Sequence, residues 1–205
     1  MKTDSNKLLL IFTRNPELGK CKTRLAKVTG DIAALEIYKF LLKHTHSITK
    51  NLDVHKTVYY SENIWLEDIW SKGNFEKKLQ NGKDLGERMA NAFKDGFASN
   101  FEKIIIIGSD LYDLSQNDFE NAFGALENHD FVVGPAIDGG FYLLGMKVFK
   151  NALFHNKVWG TSSVLEKTLK DLEGENFHLL ESRNDVDHFE DIKDIEAFKP
   201  FIKHI

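Results

Sequence analysis

Short apolar runs alternate with longer stretches of helical periodicity along the chain. The runs KLLLIFT at residues 7–13 and KIIIIGS at 103–109 show no alternation of apolar and polar positions. Unbroken runs of this kind are typical of strands that are buried on both faces of a parallel sheet. Residues 31–48 and 85–99 instead repeat apolar side chains at helical spacing, and Ile32 is expected on the apolar face of the first segment. The pattern predicts strands covered on both sides by helices.

The other elements follow the same alternation. Further strands are predicted at 56–61, 76–80, 130–136, 141–147 and 177–181. Further helices are predicted at 64–70, 115–126, 161–172 and 190–198. Ser115 and Asp118 form a capping signal at the start of the second of these helices. Strands that alternate with helices predict an α/β fold with a mostly parallel sheet. The short link IDGG joins two of the strands directly, which predicts that the sheet is mixed there.

Composition narrows the class of protein. The chain has 205 residues, 42% of them hydrophobic, and no Gly/Ser-rich linker, which predicts a single domain over residues 1–205. The net charge is −4 and basic residues form no long run, so nucleic acid is not an expected partner. The apolar run at 8–12 is too short for a membrane span or a signal peptide. One cysteine excludes a disulfide within the chain, and a cytoplasmic protein is expected.

A basic loop, FTRNPELGKCKTRL, follows the first predicted strand. It carries four cations within eleven residues: Arg14, Lys20, Lys22 and Arg24. Gly19 permits a sharp backbone path, and Thr23 and Arg24 can open the next helix. In α/β sheets ligands bind beyond the carboxyl ends of the strands, so phosphate binding is favoured over a solvated basic loop. The loop lacks the Gly-Lys-Ser/Thr spacing of a P-loop.

The segment GSDLYDLS places carboxylates directly after the isoleucine strand. Asp110 follows that strand, and Asp113 lies three residues later. Magnesium is usually held by one or two carboxylates together with substrate phosphates, so Asp110 is predicted to bind a divalent metal. Asp113 is better explained as a turn residue or as an aid to the helix start.

Two more acidic segments lie after predicted strands. Asp138 precedes a Gly-Gly pair in GPAIDGGFYLLG, which fits close approach to a ligand and a plain hairpin turn about equally. In NDVDHFEDI, Asp185 and Asp187 alternate, so one of them is expected to face the site. The alternative for Asp187 is an acidic cluster at a helix start, together with Glu190. Trp159, in a Gly/Ser/Thr-rich turn, is a candidate for either a substrate pocket or the core.

As an ordered set, the segments FTRNPELGKCKTRLA, QNGKDLGERMANAF, GSDLYDLS, GPAIDGGFYLLG and NDVDHFEDI resemble the motifs of a bacterial GT-A-like family. Its members are catalogued as glycosyltransferases and as neighbours of radical-SAM or selenoprotein-like domains. The resemblance covers about residues 7–195. More distantly, the segments are similar to molybdopterin and phospholactate guanylyltransferases. The resemblance implies a Rossmann-like, three-layer nucleotide-diphospho-sugar transferase fold.

The resemblance also assigns residue roles. It implies phosphate or nucleotide contacts from two segments: Arg14, Gly19, Lys22, Thr23, Arg24, Asp84, Gly86 and Arg88. It places Mg²⁺ or Mn²⁺ at Asp110, with Asp187 as a second metal-side acid. Asp138, Gly139 and Gly140 would face the acceptor or the sugar. Tyr112 stands where the family usually has proline, and His188 and Phe189 stand where threonine and proline are usual.

These roles describe a metal-dependent transferase with a nucleotide-activated donor and a small-molecule acceptor. The first choice is glycosyl transfer from a nucleotide sugar, with Lys22 assisting the departing diphosphate and Asp138 as the best-placed base. The alternative is nucleotidyl transfer from an NTP to a phosphorylated acceptor, with release of pyrophosphate. A non-catalytic nucleotide-binding protein is a third interpretation, motivated by Tyr112 and the other departures from the family pattern.

Overall fold

The computed structural model of the chain describes residues 5–71, 75–203 and 205. Its central feature is a seven-stranded sheet in the order β3-β2-β1-β4-β6-β5-β7. The strands are β1 Lys7–Thr13, β2 His55–Tyr60, β3 Phe75–Leu79, β4 Lys103–Ile107, β5 Phe131–Pro135, β6 Phe141–Met146 and β7 Phe177–Leu179. Only β6 runs against its neighbours β4 and β5; every other pairing is parallel. The mixed, mostly parallel sheet predicted from the sequence is confirmed.

Helices cover both faces of the sheet. They are α1 Thr23–Thr29, α2 Asp31–Thr49, α3 Leu85–Ala98, α4 Gln116–Asn128, α5 Val164–Asp171 and α6 Lys199–Ile202. Single 3₁₀ turns lie at Ile69–Ser71, Asn151–Phe154, Phe189–Asp191 and Glu196–Phe198. The capping box that Ser115 and Asp118 predict is present at the start of α4.

The isoleucine run of β4 is apolar throughout because its two faces pack into different clusters. Ile105 and Ile107 join a cluster with side chains of α2 and α4, such as Tyr38 and Phe119. Ile104 and Ile106 join a cluster on the opposite face, around α3. Each methylene buried on either face contributes roughly 0.8 kcal/mol, so neither side of the strand tolerates a polar residue without cost.

The antiparallel strand β6 brings the functional segments to one edge of the sheet. Ile107 at the end of β4 pairs with Leu143 near the start of β6. The β5–β6 turn therefore lies at the same edge as the carboxyl ends of β1 and β4. The loops after β1, β4, β5 and β7 converge there, as expected for the ligand site of an open α/β sheet.

Three details differ from the sequence prediction. Residues 64–70 form no helix beyond the 3₁₀ turn, because the Asp68 carboxylate accepts hydrogen bonds from Tyr60, Trp70 and Lys77 and ties the segment to β2 and β3. Residues 190–198 form two 3₁₀ turns instead of a last helix. Ile32 is 74% exposed, because the buried face of α2 begins at the next residues, Ala33 and Ala34.

No helix in the described part of the chain combines the length and the apolar character needed to cross a bilayer.

Candidate active site

A charged basin of about 700 Å³ opens at the carboxyl ends of β1 and β4. Its size is within the range of ordinary ligand pockets, roughly 300–1,000 Å³. The structure brings together eight of the residues predicted from the sequence: Arg14, Lys22, Thr23, Arg24, Arg88, Asp110, Asp138 and Asp187. Cations from the first loop thus face carboxylates from three other loops.

Lys22 lies at the centre of these charges. Its Nζ donates to Asp110 Oδ2 at 2.9 Å, and only 6% of its side chain is exposed. Burial by itself lowers the pKa of Lys22, but the carboxylates of Asp110, Asp187 and Asp185 outweigh burial and raise the pKa. The side chain is therefore a buried ammonium whose charge is balanced by the surrounding acids.

A second ion pair joins the first loop to the segment after β7. Arg24 Nη1 lies 2.6 Å from Asp187 Oδ2. The backbone N–H groups of Asp187 and His188 both donate to Asp191 Oδ2, at 2.9 and 2.6 Å. Asp191 therefore fixes the turn that presents Asp187, and His188 takes the first position of a small capping box without removing a carboxylate from the site.

Asp185 also faces the site, although strand alternation predicts that only one of Asp185 and Asp187 does and the family resemblance selects Asp187. Burial raises the pKa of Asp185 to about 6, with further contributions from Asp110 and Asp138. The segment after β7 is not a regular strand here: Leu111 and Asp185 form an isolated bridge, and the N–H of Val186 donates to Asp110 O at 3.1 Å. Strand alternation therefore does not apply to this segment. The feature of the sequence that pointed to Asp185 was the presence of two aspartates in this short segment.

Tyr38 of α2 connects the ends of β1 and β4 behind the carboxylates. Its hydroxyl accepts from the N–H of Arg14 at 2.9 Å and lies within 3.3 Å of Thr13 Oγ1 and Ser109 Oγ. Burial raises the pKa of Tyr38, so the phenol stays neutral and available for these bonds. Sequence reasoning missed it, because a tyrosine on the apolar stripe of a helix looks like an ordinary core residue.

Tyr112 turns away from the basin. Its ring centroid lies 5.0 Å from that of Phe198, 5.0 Å from that of His44 and 5.6 Å from that of Phe40. Phe198 belongs to a separate apolar cluster between α1, α2 and the C-terminal turns, and Tyr112 packs against that cluster. The residue that departs from the family pattern therefore anchors the loop after Asp110.

The predicted nucleotide-binding residues before and within α3 have different roles in the structure. Asp84 is the N-cap of α3 and accepts from the N–H of Glu87 at 2.9 Å. Arg88 lines the basin and donates to Gly82 O at 3.1 Å. Gly86 packs under Trp159, since a β-carbon there would lie 2.5 Å from the indole Nε1. Nucleotide contacts from Asp84 and Gly86 stay predictions, as does the phosphate role of Gly19, a turn residue with φ 74°.

The β5–β6 turn is both a hairpin turn and an edge of the site. Asp138 Oδ1 accepts from the N–H of Gly140 at 2.8 Å, which closes the turn. Gly139 has φ 90°, and a β-carbon there would lie 2.3 Å from Ser162 O. The carboxylate of Asp138 is exposed to the basin, whereas Gly139 serves the contact with the segment before α5.

The carboxylate groups of the basin are chemically suited to bind a hard divalent cation. Carboxylate oxygens are the ligands Mg²⁺ prefers, with substrate oxygens completing the set. Asp110 and Asp187 are each paired with a cation of the first loop, so a metal would replace Lys22 at Asp110. Within residues 5–71 and 75–203, no group of three or more His, Cys, Asp or Glu is arranged to hold a metal.

The protein has a GT-A-like nucleotide-diphospho-sugar transferase fold. A crystal structure from Desulfovibrio desulfuricans G20, named a "putative nucleotide-diphospho-sugar transferase", is similar over 98% of this chain and 95% of its own, with 26% identity and a TM-score of 0.84. The chain belongs to the DUF2064 family, described as an uncharacterized protein conserved in bacteria, whose model matches residues 45–161.

More distant structures share the fold. A cytidylyltransferase from Leptospira borgpetersenii is 17% identical, with a TM-score of 0.58 over 98% of this chain and 88% of its own. The 4-diphosphocytidyl-2C-methyl-D-erythritol synthase of Anaerococcus prevotii is 12% identical, with a TM-score of 0.59 over 96% of this chain and 100% of its own. No curated protein matches the sequence.

Proposed function

We propose that the protein is a transferase that uses a nucleotide-activated donor. The observation that carries this proposal is the charged basin, in which cations of the first loop lie against Asp110 and Asp187. A diphosphate needs cations to hold it and a divalent ion to offset its charge, and the basin offers side chains for both. The similarity to the Desulfovibrio protein supports the same class.

The first loop would hold the phosphates. Arg14 and Arg24 are exposed to the basin, and Arg88 faces them from α3. Guanidinium groups bind phosphate oxygens in a fork, and fixed cations stabilise the charge that develops on a departing diphosphate. Lys22 would move from Asp110 to the phosphates, since its ammonium is the buried cation closest to the carboxylates.

Asp110 and Asp187 would hold the metal, Mg²⁺ or Mn²⁺. When bound, the ion would neutralise charge on the diphosphate that leaves. The chain's own contribution is to keep both carboxylates at one edge of the sheet. The bond from Val186 N–H to Asp110 O fixes the distance between their two loops.

Glycosyl transfer from a nucleotide sugar is the first choice of reaction. The acceptor oxygen would attack the anomeric carbon, and the bond from that carbon to the diphosphate would break. Asp138 is the base of choice, because its carboxylate is exposed and lines the basin. Nucleotidyl transfer is the second candidate, favoured by the number of cations around the basin: Arg14, Lys20, Lys22, Arg24 and Arg88 suit a triphosphate.

The leaving group separates the two reactions. The protein is incubated with Mg²⁺ and either nucleotide sugars or NTPs, together with a panel of small hydroxylated and phosphorylated acceptors. Release of a nucleoside diphosphate from a nucleotide sugar supports glycosyl transfer. Release of pyrophosphate from an NTP contradicts it and supports nucleotidyl transfer.

Nucleotide binding is tested first, by thermal unfolding with each nucleotide in the presence and absence of Mg²⁺. A ligand at a hundredfold its Kd stabilises a protein by roughly 2.7 kcal/mol, which shifts the unfolding temperature measurably. Asp110→Asn is expected to abolish the part of the shift that depends on Mg²⁺. Asp113→Asn, an exposed neighbour in the same loop, is the matched control and is expected to keep it.

Two outcomes would count against the proposal. An unchanged metal dependence in Asp110→Asn would place the metal elsewhere. The absence of a shift with any nucleotide would leave a non-catalytic role, or a different ligand, as the explanation of the basin.

A further inference from the structure

A second cavity of about 220 Å³ opens beside the charged basin and differs from it in chemistry. Its wall is mostly apolar and includes Phe12, Leu85, Met89, Phe141, Trp159 and Val164. These side chains come from β1, α3, β6, the segment leading into α5, and α5 itself. Ligand pockets commonly combine such a wall with a few converging polar groups.

The wall is held in place by packing. The rings of Phe141 and Trp159 meet at right angles, with centroids 6.3 Å apart. Trp159 lies against α3 at Gly86, where any β-carbon would collide with the indole. The two aromatic rings and the surface of α3 at Gly86, where there is no side chain, therefore form a fixed slot rather than a gap between mobile side chains.

Three carboxylates stand between the cavity and the basin. Asp110, Asp138 and Asp185 line both spaces, and so do Phe12 and Leu85 at the mouth. A molecule in the apolar cavity would therefore have its polar end at these carboxylates, next to a donor whose phosphates occupy the basin.

We infer that the acceptor of the transfer is a small alcohol or phenol whose apolar ring or branched alkyl part fills this cavity, with its hydroxyl at Asp138. This inference rests on the proposed function for the identity of the donor. A cavity of about 150 Å³ lined by Leu, Ile and Phe holds benzene, so a cavity of about 220 Å³ has room for one ring with a substituent. A sugar fits less well, because those of its hydroxyls that point away from the three carboxylates would be buried against the apolar wall without partners.

With a nucleotide sugar as donor, the transfer forms one bond and breaks one bond in a single step. The acceptor oxygen forms a bond to the anomeric carbon, and the bond between that carbon and the diphosphate oxygen breaks. The electron pair of the broken bond leaves with the nucleoside diphosphate. The hydroxyl proton passes to the Asp138 carboxylate.

Binding of ring alcohols tests the inference without any donor. Benzyl alcohol and cyclohexanol are titrated by ligand-observed NMR, with glycerol and glucose as polar comparators. Saturable binding of the ring alcohols alone is expected. Trp159→Ala should weaken that binding by about tenfold or more, whereas Trp159→Phe, which keeps an aromatic surface, should stay within about threefold.

A second variant guards against misfolding at Trp159. Leu85 is 43% exposed in the first turn of α3, where a negative charge is favourable to the helix, so Leu85→Glu is expected to fold. It places a carboxylate at the mouth of the cavity and should also reduce ring binding about tenfold or more. Leu66→Ala, at an 83% exposed position, is the apolar control and should leave binding unchanged.

The outcomes separate this inference from the proposed function. Equal or tighter binding of glycerol or glucose, or ring binding that survives both Trp159→Ala and Leu85→Glu, would overturn the inference even if nucleotides stabilise the protein. Binding of ring alcohols at this site, together with no stabilisation of the protein by any nucleotide, would support the pocket and count against a nucleotide-activated donor.

Discussion

Lys22 adopts a left-handed backbone conformation, φ 48° and ψ 46°, at the N-cap of α1. Residues with a β-carbon rarely occupy this region, and such strain costs on the order of 1–3 kcal/mol. The left-handed conformation turns the Lys22 side chain inward to Asp110, and the ion pair formed there compensates for the strain. A lysine that merely belonged to a solvated basic loop would have no reason to be held in this way.

Replacing this lysine should change metal binding before any substrate is added. In Lys22→Met the carboxylates lose the ammonium that competes for Asp110, so Mn²⁺ affinity of the nucleotide-free protein should rise about tenfold. Mn²⁺ titration followed by electron paramagnetic resonance measures it directly. Lys20→Met, which removes an exposed lysine paired with Glu17 and Glu62, is the matched control.

The two lysines should behave differently. An unchanged Mn²⁺ affinity in Lys22→Met, or an equal rise in Lys20→Met, would contradict the view that the buried ammonium occupies the place of a metal.

The residue types at the site could be predicted from the sequence, but their partners could not. Arg14, Lys22, Arg24 and Asp110 were identified because charged residues follow apolar strands. The contact between Arg24 and Asp187 spans 163 positions of the chain, and nothing local indicates it. Alternation predicts only one of Asp185 and Asp187 at the site; both line it because of the bridge between Leu111 and Asp185, which depends on the tertiary structure.

At the scale of elements, the β5–β6 turn is tightly constrained by its contacts. Gly139 combines a positive φ with a backbone contact to the segment before α5, and the N–H of Leu165 donates to Gly139 O at 2.8 Å. The turn and the first turn of α5 are thus one structural unit, which sets the positions of both Asp138 and the cavity wall at Val164.

Gly139→Ala should therefore destabilise the protein by about 1–3 kcal/mol, because the new methyl group meets backbone atoms that cannot rotate away. Urea unfolding measures the change in the free energy of unfolding. Gly124→Ala is the matched control. Gly124 lies in α4 with no atom near the site of the new methyl, so stability should rise by about 0.5–1 kcal/mol. Equal effects of the two substitutions would contradict this account of the turn.

The elements themselves differ in how well the sequence predicted them. The buried strands β1 and β4 were clear because both faces demand apolar residues. The segment at 64–70 has apolar residues at helical spacing, yet Leu66 is exposed and Asp68 bonds to β2 and β3. Side-chain hydrogen bonds to other elements override helical propensity there, and periodicity cannot reveal such partners.

At the scale of the whole molecule, Arg183 and Asp118 tie the segment after β7 to the start of α4. Arg183 Nη2 donates to Asp118 Oδ1 at 2.9 Å. Burial by itself raises the pKa of Asp118, but hydrogen bonds from Ser115 and Arg183 outweigh burial and lower the pKa. A lowered pKa means that the folded protein favours the charged form more than the unfolded chain does.

The stability that Asp118 contributes is therefore present above about pH 4, the pKa of an unfolded aspartate, and is lost as the pH falls through its lower folded value. Asp118→Asn should lower the free energy of unfolding by about 1 kcal/mol at pH 7, a figure that allows for partial exposure, and by less at pH 3. Urea unfolding at both pH values measures it. The exposed Asp194→Asn serves as the control. A difference that is equal at both pH values would contradict the assignment.

The topology explains why separate motifs form one site. Residues 14–24, 108–113, 136–140 and 183–187 all leave or enter strands at the same edge of the sheet. Parallel packing makes this predictable for β1 and β4. The position of the β5–β6 turn depends on β6 running antiparallel beside β4, which the sequence suggested only through the short IDGG link.

The pairing of Lys22 with Asp110 also bears on how the protein is assembled. The chain supplies an internal counter-ion for its own acidic cluster, because the ammonium and the carboxylate come from loops 88 positions apart that meet only in the folded state. Folding of this corner therefore brings one of the chain's own cations into the acidic cluster. The counter-ion of Asp110 arrives with the chain, whereas small metal-nucleated domains take theirs from solution and collapse when a chelator removes it.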